Sequence, residues 1–192
     1  FIYVGVEVGI PNFANLFMTS PEINIDPTIA GSVVGTYWFL MMIGRLCGAS
    51  IGAKVSSRAM LTVVSTVGIV LVLGAIFCAD NILVNMPVFK SDISFGFAQV
   101  PVNVMLLILC GLCTSVMWGG IFNLAVEGLG KYTAAASGLF MVMVCGGGIL
   151  PLIQGGVADF AGFLNSYWVI ALGLAYILFY AAIGSKNVNT DI

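Results

Sequence analysis

The chain has 192 residues, of which 60% are hydrophobic and 7% are charged, and its formal net charge is −2. Soluble domains carry about 25% charged residues, so a chain with a mean hydropathy of +1.13 is an integral membrane protein rather than a soluble domain. The small net charge also gives no basis for a nucleic-acid partner.

Six apolar stretches predict an all-α membrane fold with six transmembrane helices, because about 20 apolar residues are needed to cross a bilayer. The stretches cover residues 1–18, 28–51, 59–79, 101–125, 133–158 and 166–183. The chain opens at Phe1 rather than at a methionine and is apolar from its first residue. We therefore expect a fragment of a longer protein.

The first stretch carries Glu7, the strongest candidate for a site residue. An ionisable group inside a membrane is costly and usually faces a cavity, a partner or a proton path. Tyr3 lies one turn before it, Asn12 and Asn15 follow it, and Pro11 can bend the helix between them. Hydroxyl, carboxyl and amide groups along one wall suit a polyhydroxylated solute. The alternative is that Glu7 only hydrogen-bonds to a neighbouring helix.

Arg45 lies near the end of the second stretch, and the basic residues Lys54 and Arg58 lie in the turn that follows it. Arg45 and Lys54 could close a cytoplasmic gate by pairing with carboxylates or helix C-termini. For Lys54 and Arg58, a plain role in setting membrane topology is the stronger interpretation.

The Lys and Arg distribution predicts that both chain ends are cytoplasmic. An even number of spans puts both ends on one side, and cytoplasmic loops carry an excess of positive charge. Only Lys90 falls on the opposite side, where we place five carboxylates: Glu22, Asp26, Asp80, Asp92 and Asp159.

The longest connection, residues 81–100, is predicted to be a structured external loop, and a hairpin is one form it could take. A functional lid is conceivable, although loops of this length often have no such role.

The fourth stretch supplies Trp118, whose indole could stack against the apolar face of a sugar ring, and the weaker candidate Asn123. A tryptophan that only packs between helices is the alternative for Trp118. In the fifth stretch, the run from Gly146 to Asp159 contains five glycines and Pro151. Small residues let membrane helices approach closely, so this run predicts a close-packed segment that can bend.

The chain contains no histidine, which removes the usual catalytic triads and zinc sites. Its five cysteines fall inside the predicted spans, and the CxxC pair Cys110 and Cys113 is best interpreted as packing residues. We therefore predict neither an enzyme nor a metal or cofactor site.

Several motifs together resemble the fucose/galactose/glucose:proton symporter family of the major facilitator superfamily. Residues 121–133, 136–138 and 146–159 resemble its tenth and eleventh spans, with specific GLG, GGG-x-x-P and G-x-x-x-D elements. Residues 3–7 resemble the seventh span, and Gly44-Arg45 with the following basic turn resembles the eighth.

The resemblance implies that these spans are the C-terminal six-helix half of a twelve-helix major facilitator fold, without its N-terminal half. It implies secondary active transport of a neutral hexose or deoxyhexose, coupled to protons, by alternating access in a bacterial inner membrane. The principal proton carriers are then expected in the absent half. Family members usually have proline and threonine after the aromatic of the tenth span, whereas here Trp118 is followed by Gly119-Gly120.

Two alternatives remain at this stage. The chain could belong to a major facilitator transporter for another small solute, such as an organic anion, although intramembrane Arg and Lys are scarce. It could also belong to a membrane sensor or assembly protein that transports nothing.

Overall fold

The computed structural model describes residues 1–79, 81–90 and 93–186. Two of the carboxylates used to predict topology, Asp80 and Asp92, lie outside the described residues.

The chain is mostly helical, with one β-hairpin between the third and fourth helices. Its helices are α1 (Ile2–Thr19), α2 (Pro27–Gly52), α3 (Ser57–Phe77), α4 (Val102–Val126), α5 (Thr133–Val142), α6 (Gly146–Ala161) and α7 (Phe163–Phe179). The hairpin consists of β1 (Leu83–Phe89) and β2 (Phe95–Pro101). A strictly all-α chain is therefore not what is observed, although every predicted apolar stretch is helical.

Five segments of the described chain are long and apolar enough to cross a membrane. They are Pro27–Gly52, Ser57–Phe77, Val102–Val126, Gly130–Ala161 and Phe163–Gly184. Helix α1 is not among them, because Glu7, Pro11, Asn12 and Asn15 reduce its hydropathy.

Helix α1 lies at the centre of the bundle, where it contacts α2, α4, α6 and α7. Its residues Val6, Ile10, Ala14 and Met18 have no exposed surface. A helix surrounded by other helices can carry polar groups, since its neighbours supply hydrogen-bond partners that lipid cannot. The low hydropathy of α1 thus agrees with its enclosed position.

Glycines allow the helices to cross closely. A Cβ atom on Gly5 of α1 would overlap Leu150 of α6, and one on Gly44 of α2 would overlap Ser115 of α4. A Cβ on Gly111 would lie 2.6 Å from the carbonyl oxygen of Tyr37. Close approach of this kind is how small residues stabilise membrane helix pairs.

The hairpin is attached to α2 through its turn-proximal end. The Phe89 ring stacks on the Phe39 ring with centroids 4.7 Å apart, and the Phe89 N–H donates to Thr36 Oγ1 at 2.9 Å. One hairpin face is buried, through Met86, Val88, Ala98 and Val100. The longest connection is thus ordered by contacts with a helix, while its position outside the membrane stays a prediction.

The segment that contains α5 and α6 is not one continuous helix. A 3₁₀ turn, Met143–Cys145, separates α5 from α6. The break comes immediately before Gly146-Gly147-Gly148, whereas the run in which the sequence predicts bending, residues 146–159, lies within the single helix α6.

Candidate functional site

The centre of the candidate site is an ion pair between α1 and α2. Arg45 Nη2 donates to Glu7 Oε1 at 3.0 Å and also contacts Met41 Sδ at 3.3 Å. The Glu7 side chain is 13% exposed and that of Arg45 is 56% exposed. The pair joins one carboxylate to one guanidinium, so their opposite charges compensate each other at the partly exposed contact between α1 and α2.

A tyrosine compensates for the proline next to this pair. Pro11 has no N–H, so the carbonyl of Glu7 loses its normal helical donor. The buried Tyr37 hydroxyl donates to that carbonyl at 3.1 Å and lies 3.0 Å from Thr114 Oγ1. The Tyr3 hydroxyl donates to the Thr114 carbonyl at 3.0 Å. These bonds join α1, α2 and α4 and fix the backbone that carries Glu7.

Trp118 on α4 forms the wall between two cavities of about 440 Å³ each. Its ring centroid lies 5.8 Å from that of Tyr3 and 4.9 Å from that of Phe140. The cavity on that side is aromatic and is also lined by Tyr176 and Tyr180. We call it the aromatic cavity.

The cavity on the other side of Trp118 has a mainly apolar wall that also presents polar side chains, and we call it the polar cavity for those groups. Its lining includes Arg45, Asn123 and Ser57, and Asn123 Nδ2 donates to Ser57 Oγ at 3.4 Å. Gly119 also lines it, and a Cβ there would meet no atom within 4 Å. The two glycines after Trp118 therefore leave room beside the indole.

The predicted site residues fall into two groups. Glu7, Arg45, Trp118 and Asn123 are brought together through the ion pair and the polar cavity. Asn12 is exposed, Asn15 is half-buried, and neither lines the two cavities that Trp118 separates.

Of the three other predicted gating or topology residues, only Arg58 comes near this cluster, since it lines a separate cavity together with Asn123 and Ser57. Lys54 and Asp159 are exposed. Arg58 Nη2 donates to the carbonyl of Ser185 at 3.3 Å and so connects the start of α3 to the end of the last helical segment.

Sequence reasoning misses Tyr37 and Phe140. Pro11 is a usable signal for Tyr37, because a proline inside a helix frees a carbonyl that needs another donor. Phe140 has no comparable signal in the sequence, since its role depends on which residue of α4 it meets.

Metal ligation has no support in the described part of the chain, where no three His, Cys, Asp or Glu side chains cluster. Cys110 and Cys113 are free and buried in α4.

Comparison with known proteins finds relatives along nearly the whole chain. A glucose/galactose transporter of Brucella abortus (strain 2308) is 30% identical over 188 residues, which are 97% of this chain and 41% of that protein. A putative glucose/galactose transporter of Helicobacter pylori (strain J99) is 31% identical over an alignment 192 residues long, which covers 97% of this chain and 42% of that protein. No protein-family model matches the chain.

A third relative and a solved structure agree with these matches. The L-fucose-proton symporter of Escherichia coli (strain K12) is 32% identical over 93 residues, 48% of this chain and 21% of that protein. The chain also superimposes on the crystal structure of the major facilitator superfamily transporter FucP in its outward conformation. The TM-score is 0.79 at 21% identity, covering 97% of this chain and 40% of FucP.

Over 97% of its length the chain is similar to bacterial glucose/galactose transporters, and its fold matches part of a major facilitator superfamily transporter. These findings confirm the resemblance stated from the sequence motifs. The chain spans about two fifths of the length of the relatives it matches, and it is an integral membrane protein.

Proposed function

We propose that this chain forms the C-terminal six-helix half of a secondary active transporter that takes up a neutral hexose or deoxyhexose together with protons. The observation that carries the proposal is the joint placement of Arg45, the Trp118 indole and the Asn123 amide at one cavity, with Glu7 paired to Arg45 from α1. The names of the relatives, glucose/galactose transporter and L-fucose-proton symporter, support the same class of solute.

The chemistry of the polar cavity suits a neutral sugar. The Arg45 guanidinium in the cavity wall is paired with Glu7, so its charge is compensated and does not favour an anionic solute. Its other N–H groups donate hydrogen bonds, and the Asn123 amide both donates and accepts them, as sugar hydroxyls require. The indole supplies a flat apolar surface, and Gly119-Gly120 leave space for a ring beside it.

In this proposal α1 counts as a sixth span, enclosed by the other helices, and the solute binds where this half faces an N-terminal half. The halves rock around the solute, as in other transporters built from repeated bundles. We place both ends of the chain in the cytoplasm of a bacterial inner membrane, with the hairpin outside. Lys54, Arg58 and Asp159 then serve topology and gating, and Asn12 and Asn15 belong to the solute pathway further along α1.

The proposal is tested in cells that express the complete reading frame. External pH is recorded in lightly buffered, de-energised cells while glucose, galactose and L-fucose are added in turn. We expect alkalinisation with at least one of these sugars. The Glu7→Gln variant should reduce it, because the uncompensated Arg45 then stands beside the sugar; Glu22→Gln, at an exposed position after α1, is the matched control.

Three other outcomes have distinct meanings. Sugar that equilibrates across the membrane without a pH change would contradict proton coupling and leave sugar transport standing. No movement of any of the three sugars would contradict the solute class. An equal loss of alkalinisation in Glu7→Gln and Glu22→Gln would contradict a role for the Glu7–Arg45 ion pair in transport.

A further inference from the structure

Helices α5 and α6 are held in very different ways, although they belong to the same apolar segment. Helix α6 packs against α1 and α7, whereas α5 packs mainly against α4. No residue of α5 is buried. A helix with few buried contacts has a low free-energy cost of local movement.

The joint between the two helices is the 3₁₀ turn Met143–Cys145. Immediately after it, α6 is fixed to α1: a Cβ on Gly146 would overlap the Phe1 carbonyl, and one on Gly147 would lie 3.0 Å from Val4 Cγ1. Short 3₁₀ stretches inside a helix often mark hinges. The contacts with α1 therefore hold the α6 side of the turn in place, whereas α5 on the other side has no buried residue to hold it.

The α5 side carries Phe140. Its ring meets Trp118 edge to face, with centroids 4.9 Å apart, and lies 5.2 Å from the Phe122 ring. On the same side of Trp118 stands Tyr3, which α1 holds in place through its bond to the Thr114 carbonyl. Trp118 thus contacts one fixed ring and one ring on a loosely packed helix.

We propose that Phe140 is a gating residue: α5 swings about Met143–Cys145, and Phe140 closes or opens the aromatic cavity beside Trp118. This gate rests on the proposed function, in which Trp118 stacks against the sugar. A closed gate covers the side of Trp118 opposite the polar cavity, and an open gate lets solute and water reach Trp118 from the α5 side.

The test locks α5 to α4 in the full-length protein. Phe122→Cys and Phe140→Cys are combined and bridged with a short, reducible bis-methanethiosulfonate. We expect the bridge to stop counterflow of labelled glucose, galactose and L-fucose in proteoliposomes, and a thiol reductant to restore it. The matched control is Val4→Cys with Gly147→Cys, which bridges α1 to α6 on the fixed side of the turn and should leave counterflow unchanged.

Native Cys47 and Cys145 are exposed, so the parent protein treated with the same reagent sets the baseline. The reduced form of each double variant serves as its own folding control. Counterflow that persists in the bridged Phe122/Phe140 variant would overturn the gate.

A second readout does not depend on transport. Hydroxyl-radical oxidation of Tyr3, which lines the aromatic cavity and is 4% exposed, is measured by mass spectrometry in nanodiscs. Phe140→Ala, which removes the gating ring, should speed it by about tenfold, equivalent to about 1.4 kcal/mol, whereas Leu139→Ala at the exposed neighbouring position should not. Oxidation of Tyr132, 50% exposed, stays constant in both variants. Faster Tyr3 oxidation in Phe140→Ala without transport of any sugar would keep the gate and refute the proposed function; equal rates in the two variants would refute the gate.

Discussion

Helix α1 and the segment Gly130–Ala161 both contain a proline and at least two glycines, but α1 is much more deeply buried. Eleven of the 18 residues of α1 are buried, compared with none in α5 and two in α6. In α1 the carbonyl freed by Pro11 receives the Tyr37 hydroxyl. The difference teaches that a helix-weakening residue does not by itself predict movement where a neighbouring helix replaces the lost contact.

The largest effect should come from filling the contact that fixes α1 to α6. A methyl group on Gly5 would overlap Leu150, whereas one on Gly138 of α5 would meet no atom within 4 Å. Gly5→Ala should destabilise the protein by about 1–3 kcal/mol through overpacking. Gly138→Ala should be neutral or stabilising by up to about 1 kcal/mol through helix propensity.

Thermal unfolding of the two purified variants in detergent checks this expectation. Equal midpoints for Gly5→Ala and Gly138→Ala would show that the two regions do not differ in packing.

An effect of similar size should come from the hydrogen bond that replaces the missing N–H of Pro11. Tyr37→Phe should cost about 1–3 kcal/mol, since it leaves the buried carbonyl of Glu7 without a donor. In a Pro11→Ala background the helix supplies an N–H, so the same substitution should cost less. A double-mutant cycle of unfolding measures this coupling, and strictly additive costs would contradict the compensation.

The hinge predicts a kinetic effect with little change in stability. Gly148 follows the 3₁₀ turn and Gly156 lies further along α6, and a Cβ would meet nothing within 4 Å at either position. Gly148→Ala should stiffen the first turn of α6, by up to about 1 kcal/mol of helix propensity, and slow sugar counterflow. Gly156→Ala has the same propensity change away from the turn; identical counterflow rates in the two variants would place the hinge elsewhere.

The smallest effect should come from a residue outside both regions. Asp26 caps α2, and the hydrogen bond from the Thr28 backbone N–H lowers the pKa of its carboxyl below the usual range. The stabilisation is therefore present at neutral pH and is lost as the pH falls through the lowered pKa. Asp26→Asn should lower the thermal midpoint slightly at pH 7, with the difference shrinking in acid; a difference that grows in acid would contradict this assignment.

The sequence predicts five of the six proposed spans well, because membrane crossing imposes a length and an apolarity that can be counted residue by residue. It also points to Glu7, since a lone carboxylate in an apolar stretch needs a partner. The identity of that partner as Arg45, the Tyr37 bond and the Phe140–Trp118 contact depend on which helices are neighbours, and periodicity within one helix does not contain that information. The sequence predicts bending in residues 146–159, whereas the break lies just before that run, at Met143–Cys145.

The most direct test of the account is equilibrium binding of labelled glucose, galactose and L-fucose to the purified full-length protein and to two tryptophan variants. Trp118→Ala removes the indole between the two cavities, whereas Trp168→Ala removes one on α7 that contacts Phe77. We predict that Trp118→Ala weakens binding of the preferred sugar by about tenfold or more and that Trp168→Ala leaves it unchanged. Equal affinities in the wild type and Trp118→Ala would contradict the placement of the sugar site.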